Sequence, residues 1–506
     1  MKPFILPHLY LHILLLLLLM AASPEAGAQH GGNDLVVSDD DKSGRPSLPR
    51  VSLCYDESQF SADRFIPATL TFEDSVQHVA SSCLVRRRGA TSLIYDKPNF
   101  AIKFVDDAGE SIDLSLAGMR KDNYWILDGM ASDHSKMRNR VSMDLWLDFS
   151  RPPYHQDAEP KAINGYRGSY VEVYVNDAYF GLFCLMERLD RKQLKLKKYK
   201  ESQSSVDEDG ATVDHPAYYR GLLYKAVNGY STRTPYLLYQ GNDPNDLSSS
   251  YDGMQAEYPN VSDGEPWSWQ PLRDNIYFLA AKVGNVFNLN IDKYFDVPVF
   301  VDYVLFLDLL YANDNVGKNV FYWFYDQTSD DQRVGVTPWD LDTSWGRNYM
   351  GSPVDASLDL SNKSNFHTRF QKYYAGYADT LSTRYAELRT TYWAEDSLIA
   401  RFDHYFSLLQ STGAWQRELS RWKDSNCKTQ KLADEQRFIH QWIPLRLAHL
   451  DEVYGFDPTA QDLPAIVSPG DAASAAYYDV YGRRQSRPRR GQLLIRPSYG
   501  IVIVRD

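Results

Sequence analysis

The chain has 506 residues, with 54 Lys and Arg against 66 Asp and Glu, a formal charge of −12, and 14% aromatic residues led by 36 Tyr. That aromatic content excludes a disordered chain. Four Cys are too few for a disulfide-stapled scaffold, and the acidic balance excludes a general nucleic-acid binder, whose contact face is basic. The length allows one large domain or two ordinary ones.

Residues 1–28 read as a cleaved signal peptide. Lys2 supplies the positive start, an apolar run from Leu9 to Met20 is broken only by His12, and Ala26-Gly27-Ala28 offers a small-x-small cleavage site. The run is shorter than the roughly 20 residues a membrane span needs. The expected mature chain is exported, to periplasm, cell surface or medium, with no transmembrane segment. Cys54, Cys83, Cys184 and Cys427 contain no CxxC spacing. They would either pair in an oxidising compartment or remain as buried thiols.

Residues 29–47 are a polar leader. The main body, 48–460, opens with strand patterns at 51–53, 68–72 and 100–104. A helix is predicted over 135–149, opened by Asp133 or Ser135. Strands at 170–175 and 179–185 flank Asn176-Asp177, which predicts a hairpin. Acidic, Ser-rich residues near 200–215 and a second irregular stretch near 240–270 read as insertions. Helical texture resumes near Leu272, and 373–454 is mostly amphipathic helix. Residues 461–476 read as a linker. The tail, 477–506, carries seven Arg and two Asp, a local +5 that leaves 29–476 at −17. Short strands are expected in it at Val480, 493–495 and 501–504. The fold class is therefore α+β, with a helical C-terminal part and a small strand-rich tail.

The chemistry concentrates between Val301 and Gly346. An apolar helix, 301–311, leads into Asp314-Asn315-Val316-Gly317-Lys318-Asn319. A strand over 320–325, a polar turn and a strand over 333–337 follow, ending at Trp339-Asp340-Leu341-Asp342. Antiparallel pairing would fold Asn319 back beside Trp339 and Asp340, so that Asp314, Asn319, Asp340 and Asp342 meet. Three carboxylates in one place repel unless a cation joins them, and such oxygen ligands suit Mg²⁺ or Mn²⁺. Helix, Asp-x-x-x-x-Asn, strand, turn, strand, Asp is also the order in protein kinases. Asp and Asn are equally at home in plain turns. Upstream, Lys103 lies in Ala101-Ile102-Lys103, and Arg86-Arg87-Arg88-Gly89-Ala90-Thr91-Ser92 gathers groups that hold phosphate through Arg forks and backbone N–H. A solvated strand Lys and a basic surface loop are the commoner fates of such residues.

Taken in order, these pieces resemble the spore-coat protein H (CotH) family of atypical secretory-pathway kinases. Arg88-Gly89-Ala90-Thr91-Ser92 with Lys97-Pro98 and Lys103 resembles the family's Arg-Gly-x-Ser-Ser segment, departing from it at Ala90-Thr91. Asp133-His134-Ser135-Lys136-Met137-Arg138-Asn139 resembles its Asp-x-Ser-x-x-Arg-Asn segment. The hairpin through Leu182, followed by Glu187-Arg188, and the blocks Asp314 to Asn319 and Trp339 to Arg347 complete the likeness. The resemblance implies a two-lobed, kinase-like fold that binds ATP with Mg²⁺ (or Mn²⁺) and phosphorylates Ser or Thr of exported proteins. It implies Asp314 as the catalytic Asp and Asp340 as a metal ligand, to which geometry adds Asn319 and Asp342. Lys103 is the first choice for the phosphate Lys, with Glu187 as its ion-pair partner and Lys225 as the rival. Arg88 and Ser92 would line the phosphate loop. Arg138 would contact phosphate or pair with Asp133 or Asp144.

The charge of −17 outside the tail suits a basic acceptor protein. Two alternatives stand beside the kinase. One is a non-catalytic envelope protein whose aromatic stretch, Tyr251 to Trp269, stacks on glycans or binds a protein. The other is a metal-dependent phosphotransferase or hydrolase acting on a carbohydrate or lipid.

Overall fold

The computed structural model describes residues 46–459 apart from 207, 210, 228–249, 252 and 361–364, together with short strand pieces between 466 and 504. Its first part is a closed barrel of β1 (Arg50–Tyr55), β2 (Ile66–Glu73), β3 (His78–Arg88), β4 (Asn99–Phe104), β5 (Tyr124–Asp128), β6 (Gly168–Val175) and β7 (Ala178–Glu187). The order is β1-β2-β3-β4-β5-β7-β6, and parallel pairing of β6 with β1, Val51 opposite Val173, closes it. Alternation sends Val51, Leu53, Val85, Ile102, Phe104, Trp125, Val173 and Leu185 inward to form one core. The sequence anticipated strands here but not closure. The β6–β7 turn is the expected one: Asn176 and Asp177 both take positive φ, 48° and 66°, as a two-residue hairpin turn demands.

The outer face of β5, β6 and β7 supplies Ile126, Tyr170, Leu182 and Met186 to a second, larger core. Helix α1 (Arg138–Phe149) packs there. It starts later than the predicted 135 because Lys136 is left-handed, φ 60°, and Asp133 caps the turn, accepting the N–H groups of Ser135, Met137 and Arg138 at 2.8 Å each.

The stretch near 200–215 forms a two-stranded, exposed hairpin, β8 (Gln203–Val206) with β9 (Thr212–His215). Next come β10 (Leu222–Ala226), β11 (Ser250–Tyr251) and β12 (Met254–Tyr258), then α2 (Gln270–Ala281) and α3 (Val297–Leu310), and then β13 (Val320–Phe324) and β14 (Gly335–Pro338). The five strands form an antiparallel sheet, β11-β12-β10-β13-β14. Residues 254–269 are therefore not a free aromatic surface. Trp267 and Trp269 are buried, and Trp269 stacks on Tyr224 at 5.1 Å, so the glycan platform of the non-catalytic alternative loses its two Trp to the core.

Helix α3 is apolar on all sides and is enclosed accordingly. Its carboxylates are answered inside: Asp302 by Arg384 at 2.7 Å and Asp308 by the Tyr454 hydroxyl at 2.5 Å. Around it lie α4 (Asn365–Tyr373) and α5 (Tyr377–Arg389); α6 (Glu395–Ser411) and α7 (Ala414–Trp422) pack on each other, α7 also on β7, and α8 (Leu432–Tyr454) joins α6 to α3. In the tail, Leu493–Arg496 pairs with Gly500–Val504; the strand expected at Val480 lies outside the described residues. All four Cys are free thiols. Among the described residues no helix is long and apolar enough to cross a membrane.

Candidate active site

The site is built where α3 ends. Tyr311 turns left-handed at φ 50°, and the chain enters a short 3₁₀ turn, Asn313–Asn315. Buried Asn315 locks this turn to the β13–β14 hairpin: its side-chain amide donates to the carbonyls of Asn319 at 3.0 Å and Trp339 at 2.7 Å. The Trp339 N–H donates to the Asn319 carbonyl at 2.9 Å, and Val320 lies opposite Pro338. The expected return of Asn319 to the end of the second strand is thus the observed geometry. Asn319 and Asp340 are both left-handed, φ 54° and 57°, conformations that Asn and Asp tolerate better than most residues.

Asp340 is exposed, yet protein surrounds it closely enough that burial, and after it Asp128, pushes its carboxyl above the ordinary carboxylate range. Lys225, Arg88 and Asp314 also act on Asp340 electrostatically. Half-buried Asp342 is pushed well up, by burial and then by Asp340, and accepts a hydrogen bond from the Ser132 hydroxyl. Asp314 pairs with Lys318 at 3.0 Å.

Two cations face these carboxylates. Lys225, on β10, sits 5.6 Å from the ring centroids of both Phe321 and Trp339, and Arg88, at the end of β3, lies 6.0 Å from Trp339. Burial pulls the Lys225 ammonium below its usual range, with Arg88 and Arg188 adding to the effect against Glu257 and Asp340. Gly89 follows Arg88 at φ 130°, and a Cβ there would lie 1.9 Å from the Ser92 hydroxyl, so only glycine lets the loop close over Ser92. Ser92 is held by Asn99 at 3.4 Å.

Three expected members are not brought together with the rest. Lys103 points over Phe65 (4.7 Å) and Tyr124 (5.7 Å), because its position on β4 places it opposite Leu84, four residues short of Arg88 on β3. Glu187 does not pair with it. It is buried against Arg167 at 2.8 Å and Gln193 at 2.9 Å. Arg138 meets no phosphate site either. It is wholly enclosed between Asp133 at 2.6 Å and Glu435 of α8 at 2.9 Å, and it donates to the Ser344 carbonyl at 3.0 Å. Glu435 also binds Arg347, so this carboxylate clamps α1 to the 344–347 segment beside Asp342.

The sequence reading missed Asp128 and left Asn139 without a role. Asp128 ends β5, and the amide of buried Asn139 joins it to the site. Asn139 donates to Asp128 at 3.3 Å, while its oxygen accepts from the Leu341 N–H at 3.1 Å and the Tyr166 hydroxyl at 2.8 Å. An Asp closing a strand before Gly129 was the only local signal for this position.

The CotH kinase protein family model matches residues 85–450, which include every side chain of this site. The chain belongs to the CotH kinase family. No curated protein matches it. A CotH kinase domain is therefore what carries Asp314, Asn319, Asp340 and Asp342, and kinase-like chemistry sets the requirements for a fit. Among the described residues, no three His, Cys, Asp or Glu are spaced to hold a metal by themselves. Mg²⁺ does not need three: it binds through one or two carboxylates plus water and phosphate oxygens. Asp340 and Asp342, both pushed up by burial and partly by neighbouring carboxylates, have the donor chemistry for such an ion, whose charge would favour their ionised forms.

Proposed function

We propose that this CotH kinase-family chain is an exported, ATP-dependent protein kinase that transfers the γ-phosphate to a Ser or Thr hydroxyl of another exported protein. The observation that carries this reading is the convergence of Asp314, Asn319 and Asp340 with Lys225 and Arg88 around the open end of the β13–β14 hairpin. When bound, Mg²⁺ on the nucleotide neutralises phosphate charge and orients the reacting phosphoryl group. Asp340 and Asp342 would hold that ion, with Asn319 beside them. Lys225 and Arg88 offer positive charge to phosphate oxygens from the two walls, with Lys225 taking the part first expected of Lys103. Ser92, in the loop after Arg88, is placed to line the phosphate side. Asp314 accepts the proton of the attacking hydroxyl, and Lys318 is paired with it at 3.0 Å. Asn315 keeps this Asp and the Trp339–Asp340 corner in one fixed relation.

The test is Mg-ATP binding and phosphate transfer by the mature chain, beside Asp314→Asn and Asp340→Asn. The reading requires binding by the parent, transfer that Asp314→Asn reduces at least 100-fold without loss of nucleotide binding, and metal-dependent binding that Asp340→Asn removes. A folded parent that binds no nucleotide with either Mg²⁺ or Mn²⁺ would sink it.

A further inference from the structure

Beyond the carboxylates, the barrel wall carries a second ordered feature. Strand register places Lys103 opposite Leu84 on one side and opposite Tyr124 on the other. Arg188, just past the end of β7, lies 4.8 Å over the Tyr124 ring and is held by Glu257 at 3.1 Å. Arg86 covers the Phe65 ring at 5.0 Å, and Lys103 covers the same ring at 4.7 Å. The result is a ladder of cations and aromatic faces, Arg86, Phe65, Lys103, Tyr124, Arg188, crossing the outside of β3, β4 and β5.

Among the described residues, Lys103 and Arg88 have no carboxylate within ion-pair distance, whereas Arg86 already donates to the Ala62 carbonyl at 3.1 Å. A cation over a ring keeps its charge and its outward N–H groups while losing side-chain freedom. Such a cation is pre-organised for an anion, because part of the ordering cost is met before binding. The chain's net charge of −12 does not cancel this. At physiological ionic strength charges beyond about 8 Å are largely screened, so the local cations decide.

Along β3, Leu84 and Arg88 are separated by four residues, about 13 Å of extended strand. We propose that the Lys103 row is the docking site for an acidic side chain of the phosphate-accepting protein, an Asp or Glu about four residues from the acceptor hydroxyl. This replaces the basic acceptor suggested by bulk charge, and it rests on the kinase reading in taking the bound protein to be the phosphate acceptor and Arg88 to mark the phosphate.

The experiment measures fluorescence anisotropy of two labelled peptides on the full mature chain, each with a Ser four residues from a Glu-Glu or a Lys-Lys pair. Mg-nucleotide binding is measured alongside. The acidic peptide should bind at least tenfold tighter, increasingly so at low salt. Lys103→Glu should remove that preference, and Lys103→Met, which keeps the apolar stem, should weaken it about fivefold, with nucleotide binding intact in both. Equal binding of the two peptides, or an unchanged preference in both folded variants, overturns the proposal. So does loss of nucleotide binding with peptide binding kept, since the row would then serve the nucleotide. Lys103-dependent acidic binding by a parent that takes no nucleotide upholds the docking site and defeats the kinase reading instead.

Discussion

Lys97 and Glu418 meet at 2.5 Å with neither side chain reaching solvent. They also complete a strand. β5 ends at Asp128 opposite Cys184, so the Leu182 peptide on β7 has no strand neighbour on that side. Glu418 accepts the Leu182 N–H at 2.8 Å, and Lys97 donates to the Leu182 carbonyl at 2.5 Å. The pair stands in for the missing backbone partner and ties α7 to the barrel.

Lys97→Met should therefore cost about 3–5 kcal/mol, because it strands a buried carboxylate. The double variant Lys97→Met/Glu418→Leu should not recover stability as apolar replacement of a buried pair often does, since both Leu182 groups stay unpaired. Urea unfolding of the three proteins checks this. Full recovery in the double variant would show that the pair answers only itself.

The crowding of Asp340 and Asp342 by each other and by Asp128 predicts opposite effects of one substitution in two buffers. In chelator, Asp340→Asn should raise the melting temperature, because like-charge repulsion is relieved. With Mg²⁺ the parent should gain stability as the ion occupies the folded state alone, and the variant should not. Thermal melts with and without metal give both signs.

Asn139→Ala leaves the Leu341 N–H and the Tyr166 hydroxyl without their acceptor, a loss of about 1–3 kcal/mol. Asn139→Asp keeps an acceptor for both but sets a second carboxylate against Asp128. In chelator it should be the less stable of the two, and added Mg²⁺ should narrow the gap. Calorimetry of the two variants with and without metal decides it.

Stability should also depend on pH through Asp296, at the start of α3, where burial raises the carboxyl from 3.8 to about 7 against the pull of Arg333. Asp331 and Asp302 also raise it, and the Tyr154 N–H bonds it at 3.2 Å. The folded state then binds a proton that the unfolded chain has lost, so this group's contribution is present below about pH 4 and is lost as pH rises toward 7. Asp308, raised to about 6 by burial, acts with the same sign. His367, lowered to about 4 by burial, opposes both between 4 and 6.5. Asp296→Asn keeps an acceptor for Tyr154. It should flatten the decline between pH 4 and 7, gaining on the parent by a few kcal/mol at pH 8. Urea midpoints across that range measure it, and parallel pH curves for parent and variant would refute the assignment.

The legible part of the site was its local part. Helix, turn, strand, turn and strand follow one another within fifty residues, so pairing rules alone bring Asn319 to Trp339. Which Lys reaches the β13–β14 hairpin was not local. Ala101-Ile102-Lys103 has the more suggestive neighbours, but β10 pairs with β13, Lys225 opposite Phe321, and carries Lys225 to the hairpin instead. Asp128 was hidden for the same reason, since its place follows from barrel closure and from an amide eleven residues on. Trp267 and Trp269 misled because composition cannot tell an aromatic surface from an aromatic core.

The Glu435 clamp has a consequence for the order in which the protein comes to life. Its bond to Arg138 spans 297 positions of sequence, and its other partner, Arg347, lies 88 before it. Contacts this distant wait for loop closure over most of the domain. A nascent chain that has passed the Asp342 codon thus holds every carboxylate of the site but not the residue that fixes the segment beside them. The segment beside Asp342 is therefore fixed late in synthesis, when α8 is complete.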